Sequence, residues 1–498
     1  MPRLLRTPGF WICALVLALA FGFLGSRGIW DPDEGRYTNV ALNMLDSGDW
    51  LNPRRNDEVG HWTKPPLTYW AIASSVAVFG HNPWAARLPA ALAYLLSVWL
   101  AWRLARRMMP GTQHQAAVVY ATMLLPLGAS QLITTDYLLA AFETLALYAF
   151  VEAQWRVGTA ARDRVGLGWI ALMWTAFALA FLTKGPPALL PLLVVFAFNL
   201  LLPPERRRRT LHWWGLGLFV LLALPWYVAV VLNHPGLFEY FIGDEVMNRV
   251  TTNEFGRHGE WYGWLQVYAP TLLLGTLPWS APFWRWLRGL PARVRRWHRD
   301  RAARGEDAPA LLLALWILLP LLVFCLSKSR MPLYLLPLFV PMALGIAAQR
   351  HAEGRALPGW PWLAAWAGVL LALKFAAAHW PTHKNAADWA DAIRARTDAP
   401  VQEVAFVEDM ARYGLHLHLG AEIEKIALEP QAEARFNPVN DTDLARELGE
   451  HEPHVVWVCK QARWDELRAR MGSLGYRATA LGAPYHGRII FQVEPAPR

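Results

Sequence analysis

Three acidic residues stand within four positions in the segment "GIWDPDEGRYTNV", where Asp31, Asp33 and Glu34 precede Arg36 and Tyr37. A carboxylate can take the proton from an acceptor hydroxyl, or stabilise positive charge that develops on a sugar. The cluster directly follows the first hydrophobic run. Because charges cost roughly 2.5 to 3.5 kcal/mol at the centre of a membrane helix, those kept near apolar runs tend to be functional. We therefore treat the cluster as a candidate catalytic site.

The composition indicates the class of protein that carries this cluster. The chain has 498 residues, of which 55% are hydrophobic and 17% charged, which is unlike an ordinary soluble enzyme. We predict a polytopic membrane protein with about eleven spans, because most of its apolar runs approach the roughly 20 residues that a bilayer requires. The predicted spans are 10–27, 84–102, 116–133, 137–151, 167–183, 186–202, 211–232, 269–284, 309–326, 332–349 and 359–379.

Basic residues between these spans fall on one side of the membrane if the number of spans is odd. The positive-inside rule makes that side the cytoplasm. The net charge of +9 then reflects topology, and no nucleic-acid partner is needed to explain it. The basic positions are Arg3, Arg6, Arg103, Arg106, Arg107, Arg206 to Arg209, the loop 285–304, Arg350 and Arg355.

The opposite side receives most of the remaining charged residues that lie close to a span. Its main loops are predicted at 28–83 and 233–268. Their common sidedness predicts one external site. The residues that we place there are Asp31, Asp33, Glu34, Lys64, Asp136, Lys184, Asp244, Glu245, Arg249, Lys328, Arg330 and Tyr334.

Two further segments complete the predicted organisation. The run from Pro66 to Gly80 is too short to span comfortably, so we expect an interfacial or re-entrant helix that holds Lys64 near lipid phosphates. In the tail, short β-type runs alternate with helical ones, which predicts a small soluble α/β domain. We assign 1–380 to a transmembrane catalytic domain and 381–498 to this α/β domain. We expect no disulfide among Cys13, Cys325 and Cys459 and find no zinc-type spacing.

A site on the outer side of a membrane has no ATP or nucleotide sugar, so transfer there requires a donor that is already activated. A sugar on a polyprenyl phosphate meets this requirement. Lys or Arg must then neutralise the phosphate that leaves, and a carboxylate must activate the acceptor. A membrane transporter or flippase is the alternative class, and a scaffold protein is a third. Transporters tend to place charges near the midplane, often in paired repeats, and the sequence has no evident internal symmetry.

Five segments, in this order, carry a family resemblance: "DPDEGRY", "TKPPLTYW", "TTDYLLAAFET", "FIGDEVMNRV" and "SKSRMPLYLLP". The chain resembles the 4-amino-4-deoxy-L-arabinose lipid A transferases and the wider protein-mannosyltransferase-like group of GT-C glycosyltransferases. The resemblance extends to about residue 350. It implies an all-α polytopic fold of the GT-C type with about 11 to 13 transmembrane helices, followed by the small α/β domain.

The resemblance also implies roles for particular residues. Asp33 matches the essential carboxylate of the first external loop, the candidate catalytic base, and Glu34 completes the acidic pair. Arg36 and Tyr37 belong to the same motif and are candidates for substrate binding. Asp136 matches a second external acid. Helix capping is an alternative role for Asp33, Glu34 and Asp136.

The donor phosphate would be held by residues from three other motifs. Lys64 matches a lysine before proline, Arg249 the arginine that ends the motif of the large loop, and Tyr334 the tyrosine of the late motif. Lys64 could instead reach toward lipid headgroups in general. In the aminoarabinose enzymes an acid usually precedes the lysine, with an aromatic two positions earlier, whereas this chain has Thr63 and His61. We keep His61 as a candidate substrate contact and assign no metal ligand, although a divalent metal stays open.

The implied reaction is inverting transfer of a sugar from a polyprenyl phosphate to an acceptor that faces the periplasm of a bacterial inner membrane. Lipid A is the favoured acceptor, and a protein hydroxyl or another glycan is the alternative. The implied partners are thus the lipid-linked sugar donor, a lipid or glycan acceptor, and membrane lipids.

Overall fold

The computed structural model describes residues 7–155, 164–248 and 258–497. The chain forms two compact units, each made of two separate segments. The first unit comprises Met1–Gly22 and Ala90–Leu373, and the second comprises Phe23–Pro89 and Lys374–Arg498. Residues 23–89, predicted as part of the transmembrane catalytic domain 1–380, are compact with the tail in the structure. The boundary near residue 380 stays a prediction.

The first unit is helical throughout its described part. Among the described residues, six helices are long and apolar enough to cross a membrane: Pro83–Met108, Gly166–Lys184, Trp213–Asn233, Ala308–Leu326, Pro332–Ala352 and Trp360–Ala378. This confirms a polytopic membrane protein, and the count of eleven spans stays a prediction. The other described helices of the first unit with more than three residues are Pro8–Phe21, Gln113–Thr122, Leu124–Ala129, Thr135–Gln154, Pro186–Leu189, Leu190–Leu201, Leu237–Ile242, Gly243–Asn248, Gly263–Gly275, Ser280–Arg299 and Arg301–Glu306.

The predicted spans 116–133 and 269–284 are interrupted in the structure, the second between Gly275 and Ser280. The apolar run 116–133 forms two helices, Gln113–Thr122 and Leu124–Ala129, because Met123 between them is extended with ψ 139°. Pro126 gives the physical reason. Inside a continuous helix its ring would clash with the carbonyl of Thr122, whereas proline is tolerated in the first turn of a new helix.

The second unit begins with two packed helices, Asp33–Ser47 and Leu67–Phe79. The first opens with Asp33 and Glu34, whose charges favour a helix N-terminus, and it ends at Gly48 in the left-handed region with φ 69°. The second helix lies where the sequence predicts a short helix between Pro66 and Gly80.

The tail is an α/β domain, as predicted. Its six strands are β1 Glu403–Val407, β2 Glu422–Ala427, β3 Thr442–Asp443, β4 Val455–Lys460, β5 Tyr476–Ala480 and β6 Arg488–Pro495. They form one sheet in the order β3-β2-β1-β4-β6-β5. The pairs among β1 to β4 are parallel, and β6 is antiparallel to both β4 and β5. The helices of the tail are Ala386–Arg394, Leu415–Leu419, Leu444–Glu450, Gln461–Arg463 and Trp464–Ser473.

Both faces of this sheet are covered, which explains why β1 is buried along its whole length. Val404 and Phe406 pack on one face with Trp389 and its neighbours. Ala405 and Val407 pack on the other face with the helix Leu444–Glu450. Alternate residues of a strand point to opposite faces, so a strand covered on both sides is apolar throughout.

The segment that begins near residue 28 joins the tail through backbone contacts. The amide of Asp31 donates to the carbonyl of Lys384 at 2.9 Å, and the amide of Ala386 donates to the carbonyl of Ile29 at 2.8 Å. On the helix Asp33–Ser47, the Oδ1 of Asn39 lies 2.8 Å from the Nδ1 of His416. The tail therefore fixes the position of the acidic cluster.

Candidate active site

Asp33 is the first residue of the helix Asp33–Ser47, and its side chain is 60% exposed. Its Oδ1 accepts a hydrogen bond from Nη2 of Arg36 at 2.8 Å, one turn further along the helix. The guanidinium orients the carboxylate and leaves it open to solvent. The exposure of Asp33 is compatible with the role of proton acceptor, which stays a prediction.

Glu34 has a different environment, because its side chain is buried. Arg27 binds both of its oxygens, at 2.5 and 2.9 Å, and Arg87 also binds both, at 3.0 and 3.1 Å. The amide of Trp30 adds a third donor at 2.9 Å. Burial alone would raise the pKa of Glu34, but the charges of Arg87 and Arg27 outweigh it and lower the pKa to about 2. These contacts support a positioning role for Glu34.

Asp31 anchors the same segment to the tail. Its two carboxylate oxygens accept from the amide of Gly414 at 3.1 and 3.3 Å. Burial raises the pKa of Asp31 to about 8, although the Gly414 hydrogen bond and the charge of Arg412 oppose the rise. Of the three acids in the motif, Asp33 therefore has the exposed side chain, while Asp31 and Glu34 are buried.

The predicted phosphate lysine lies close to other candidates in this unit. Lys64 is half-buried, and its Nζ lies 2.5 Å from the carbonyl of Thr63. His61 is buried and faces the edge of the Tyr69 ring. Burial, followed by the charges of Arg36, Arg55 and Lys64, holds the pKa of His61 well below its usual range. The ring is therefore neutral, and the structure brings Arg36, His61 and Lys64 within electrostatic reach of one another.

Tyr37, the fourth motif residue, stacks on Tyr69 with ring centroids 5.9 Å apart and planes inclined at 28°. An aromatic pair of this kind forms a rigid apolar wall, which suits the face of a sugar or the start of a lipid chain. The role of Tyr37 in substrate binding stays a prediction.

The residues around Lys64 do not fit a divalent metal. The Nε2 of His61 is 2.8 Å from the hydroxyl of Thr63, and Arg36, Arg55 and Lys64 surround the ring with positive charge. Since Thr63 stands where an acidic ligand would be needed, a dication would meet repulsion there. We derive no step through a metal at this loop.

The first unit holds a second group of predicted residues. Asp136 lies in the first turn of the helix Thr135–Gln154, and the hydroxyl of Thr134 caps the helix by accepting from the Asp136 amide at 3.3 Å. The Oδ1 of Asp136 binds the Nζ of Lys184. That ammonium also lies over the ring of Tyr334, 4.4 Å from its centroid. Asp136, Lys184 and Tyr334 are thus in direct contact.

Sequence reasoning did not single out all the residues that support these groups. Glu143 is buried two turns after Asp136, on the same face of the helix. Arg87 was also missed. A lone arginine within the apolar stretch "PWAARLPAALA" was the available signal, because such a charge needs a buried partner.

Two further predicted cations lie in different segments, Arg249 in the large loop 233–268 and Arg330 in the late motif. Arg249, predicted as the second phosphate cation, lies outside the described residues. Arg330 is buried and donates to the carbonyls of Glu260 at 2.8 Å and Cys325 at 3.0 Å. Its guanidinium therefore holds backbone, which favours a structural role over lipid anchoring.

The sequence matches a family described as dolichyl-phosphate-mannose-protein mannosyltransferase over residues 63–232. An undecaprenyl phosphate-alpha-4-amino-4-deoxy-L-arabinose arabinosyl transferase from Pseudomonas aeruginosa (strain UCBPP-PA14) is 36% identical over 342 residues, which are 66% of this chain and 58% of the relative. The enzyme of the same name from Edwardsiella ictaluri is 31% identical over 350 residues, 69% of this chain and 59% of the relative. The matches thus span less than two thirds of these relatives.

Solved structures share the fold over nearly the whole chain. ArnT from Cupriavidus metallidurans bound to undecaprenyl phosphate has a TM-score of 0.76 at 21% identity, over 97% of this chain and 98% of that one. The oligosaccharyltransferase AglB from Archaeoglobus fulgidus has a TM-score of 0.53 at 12% identity, over 98% of this chain and 74% of that one.

The protein has the GT-C type of fold, as shown by its helical membrane core, its α/β tail and its structural neighbours. Within that class, the resemblance to the aminoarabinose transferases that the five motifs predict is confirmed by sequence similarity and by the shared fold of ArnT.

Proposed function

We propose that the protein is an inverting glycosyltransferase, which moves a sugar from a polyprenyl phosphate to a hydroxyl of an acceptor such as lipid A. The relatives are named for an undecaprenyl-phosphate-linked aminoarabinose, and the ArnT structure holds undecaprenyl phosphate. The observation that carries the proposal for this chain is the environment of Asp33. The carboxylate of Asp33 is exposed and is held by Arg36. The next residue, Glu34, is buried and forms ion pairs with two buried arginines.

The proposed reaction is a single displacement. Asp33 accepts the proton of the acceptor hydroxyl while the oxygen of that hydroxyl forms a bond to the anomeric carbon of the sugar. The bond from that carbon to the phosphate oxygen breaks, and the electron pair leaves with the polyprenyl phosphate. Attack opposite to the leaving group inverts the anomeric centre.

Lys64 supplies positive charge for the phosphate that leaves. At an effective dielectric near 20, a cation about 4 Å from a phosphate gains about 4 kcal/mol, and only the part gained in the transition state accelerates the reaction. His61 is neutral, so the positive charge of the segment 61–64 is that of Lys64. Arg249 and Tyr334 stay predictions for the same phosphate, and we assign no metal to the reaction.

We place the reaction on the outer face of a bacterial inner membrane. The support is the sidedness of the basic loops, which the positive-inside rule assigns to the cytoplasm. The motif residues occupy the opposite set of loops in the predicted topology.

The deciding experiment is mass spectrometry of lipid A and of total envelope glycans from cells that lack the protein. The cells are complemented with wild type, with Asp33→Asn, or with Asp49→Asn as a control that alters another acid of the same external segment. We expect wild type and the control to restore a pentosamine-sized addition to lipid A and Asp33→Asn to fail. Restoration by Asp33→Asn would refute the role of the base, and unchanged envelope glycans would refute the enzyme class.

A protein hydroxyl is the second candidate acceptor. It is favoured by the match of residues 63–232 to the protein mannosyltransferase family. Sugar lost from envelope proteins, with lipid A unchanged, would keep the mechanism and select this acceptor.

A further inference from the structure

The α/β tail contains three glutamates whose carboxylates meet below one face of the sheet. One oxygen from each of Glu403, Glu424 and Glu447 lies within 4.8 Å of the other two. We call these three residues the Glu403 cluster. They have no part in the proposed transfer reaction.

The strand register explains why the three acids converge. Glu424 pairs with Ala405 in the parallel ladder of β1 and β2, and Glu403 is two residues before Ala405, so both side chains share one face. Glu447 belongs to the helix Leu444–Glu450, whose Leu444 and Leu448 pack on that same face. The cluster thus stands at the border of an apolar core.

Two buried oxygens of the cluster, one from Glu403 and one from Glu447, lack a hydrogen-bond donor. Glu403 is 3% exposed and Glu447 is 5% exposed. Within the described part of the chain, Glu403 Oε1 and Glu447 Oε2 have no hydrogen-bond partner, and no lysine or arginine forms an ion pair with the three acids. Buried carboxylate oxygens without a donor or a cation are costly, which calls for a positive charge between them.

The surrounding charges reinforce this need. The strongest neighbouring charges are themselves acids, among them Glu452 and Asp441.

A neighbouring amide orients the third ligand. The Nδ2 of Asn56 donates to Oε1 of Glu424 at 2.7 Å, while its Oδ1 accepts from the amides of Glu58 and Val59 at 3.2 and 2.7 Å. Because the amide oxygen is already engaged, its nitrogen must face the carboxylate. Hydrogen bonds of this kind fix ligand orientation in metal sites.

We propose that the Glu403 cluster binds one divalent cation of the oxygen-preferring class, with Ca²⁺ as the representative ion. All three ligands are carboxylates, which suit Ca²⁺, Mg²⁺ or Mn²⁺ rather than metals that prefer nitrogen or sulfur. Bound there, the cation also holds Asn56 through Glu424. It thereby stiffens the turn between Arg54 and Gly60, which precedes His61 and Lys64.

The test measures thermal unfolding of the full chain in detergent after treatment with a chelator. Roughly millimolar Ca²⁺, the range of extracellular Ca²⁺ modules, is added to wild type, Glu447→Gln, Glu424→Gln and the control Glu466→Gln. Glu466 is an exposed acid of the same domain, paired with Arg463. KCl of equal ionic strength accounts for screening. We expect Ca²⁺ to raise the unfolding temperature of wild type and control, and the two cluster variants to lose the response.

A count of bound Mn²⁺ by electron paramagnetic resonance serves as the second measurement, since it does not depend on how the variants unfold. We expect one Mn²⁺ more in wild type and Glu466→Gln than in Glu424→Gln, with at least tenfold weaker binding in the variant. The proposal is overturned if wild type shows no cation response, or if the response survives in both cluster variants. In the first case the carboxylates hold protons instead, and Glu447→Gln should stabilise the protein without any metal.

Discussion

At the scale of single residues, two adjacent acids of one motif have opposite environments. Asp33 is exposed beside Arg36, whereas Glu34 is enclosed by Arg27 and Arg87. The sequence predicts that the acidic cluster is functional, and it gives both Asp33 and Glu34 as catalytic candidates. It could not separate them, because the difference depends on Arg87, which is distant in the chain. The catalytic assignment of both residues stays a prediction, and their environments favour Asp33.

The first prediction concerns Asp33. Asp33→Asn removes the proton acceptor but keeps the size of the side chain, so turnover should fall by about 10² to 10⁴ fold, the usual contribution of a general base. A purified assay with a lipid-linked sugar measures kcat. The fold should persist, because the side chain is exposed, and unchanged circular dichroism with unchanged kcat would remove Asp33 from the mechanism.

The second prediction concerns Lys64. Lys64→Ala should lower kcat/KM by up to roughly 10³ fold through loss of charge at the leaving phosphate, and Lys64→Arg should retain part of the activity. Lys384→Ala, which removes an exposed lysine of the same unit, is the matched control. Equal kinetics for Lys64→Ala and the control would take Lys64 out of the phosphate site.

At the scale of elements, the helix Asp33–Ser47 owes its placement to a buried ion-pair network. Its N-terminal Glu34 binds two arginines, of which Arg87 belongs to the helix Pro83–Met108. The helices themselves could be predicted from apolar runs and charges, as the segment 66–80 shows. Pro126 is the sequence signal for the break at Met123, but the run 116–133 has no charged residue and therefore predicts one continuous span.

The third prediction tests this network. Arg87→Ala leaves Glu34 with one of its two arginine partners in a buried site, so the free energy of unfolding should fall by about 3 to 5 kcal/mol. Chemical denaturation in detergent measures the loss. Arg54→Ala, which removes an exposed arginine of the same unit, should change stability little. Similar losses in both variants would mean that the network is not specially stabilising.

The fourth prediction follows from the lowered pKa of Glu34. A carboxyl whose pKa falls from 4.5 to about 2 on folding stabilises the fold above pH 4.5, and this contribution is lost as the pH drops toward 2. Wild type should therefore lose more stability between pH 5 and about pH 2 than Glu34→Gln does. Parallel unfolding curves for the two proteins across this interval would contradict the assignment.

At the scale of the whole molecule, the chain crosses between its two units more often than the sequence suggested. Apolar patterning predicted the membrane helices and the α/β tail. It could not predict that residues 23–89 belong with the tail, because that association depends on contacts such as Asp31 with Gly414, which are distant in sequence. Local patterns do not record such contacts.

The fifth prediction concerns Gly35, which lies close to Gly414 of the tail. A Cβ on Gly35 would lie 1.7 Å from Oδ1 of Asp31 and 2.6 Å from the amide of Gly414. Gly35→Ala should therefore separate the segment from the tail and increase protease sensitivity near residues 54–60. Gly48→Ala would meet nothing nearby but has φ 69°, so it controls for helix strain alone. Equal protease patterns would show that the glycine contact is dispensable.

The division of the second unit between two distant segments also sets an order of events during biosynthesis. Residues 23–89 leave the ribosome before the whole of Ala90–Leu373, whereas the strands that receive them are made last. At about 5 to 20 residues per second, the interval is on the order of tens of seconds. For that time the nascent acidic segment has no sheet to dock on, so its maturation must wait for the end of translation.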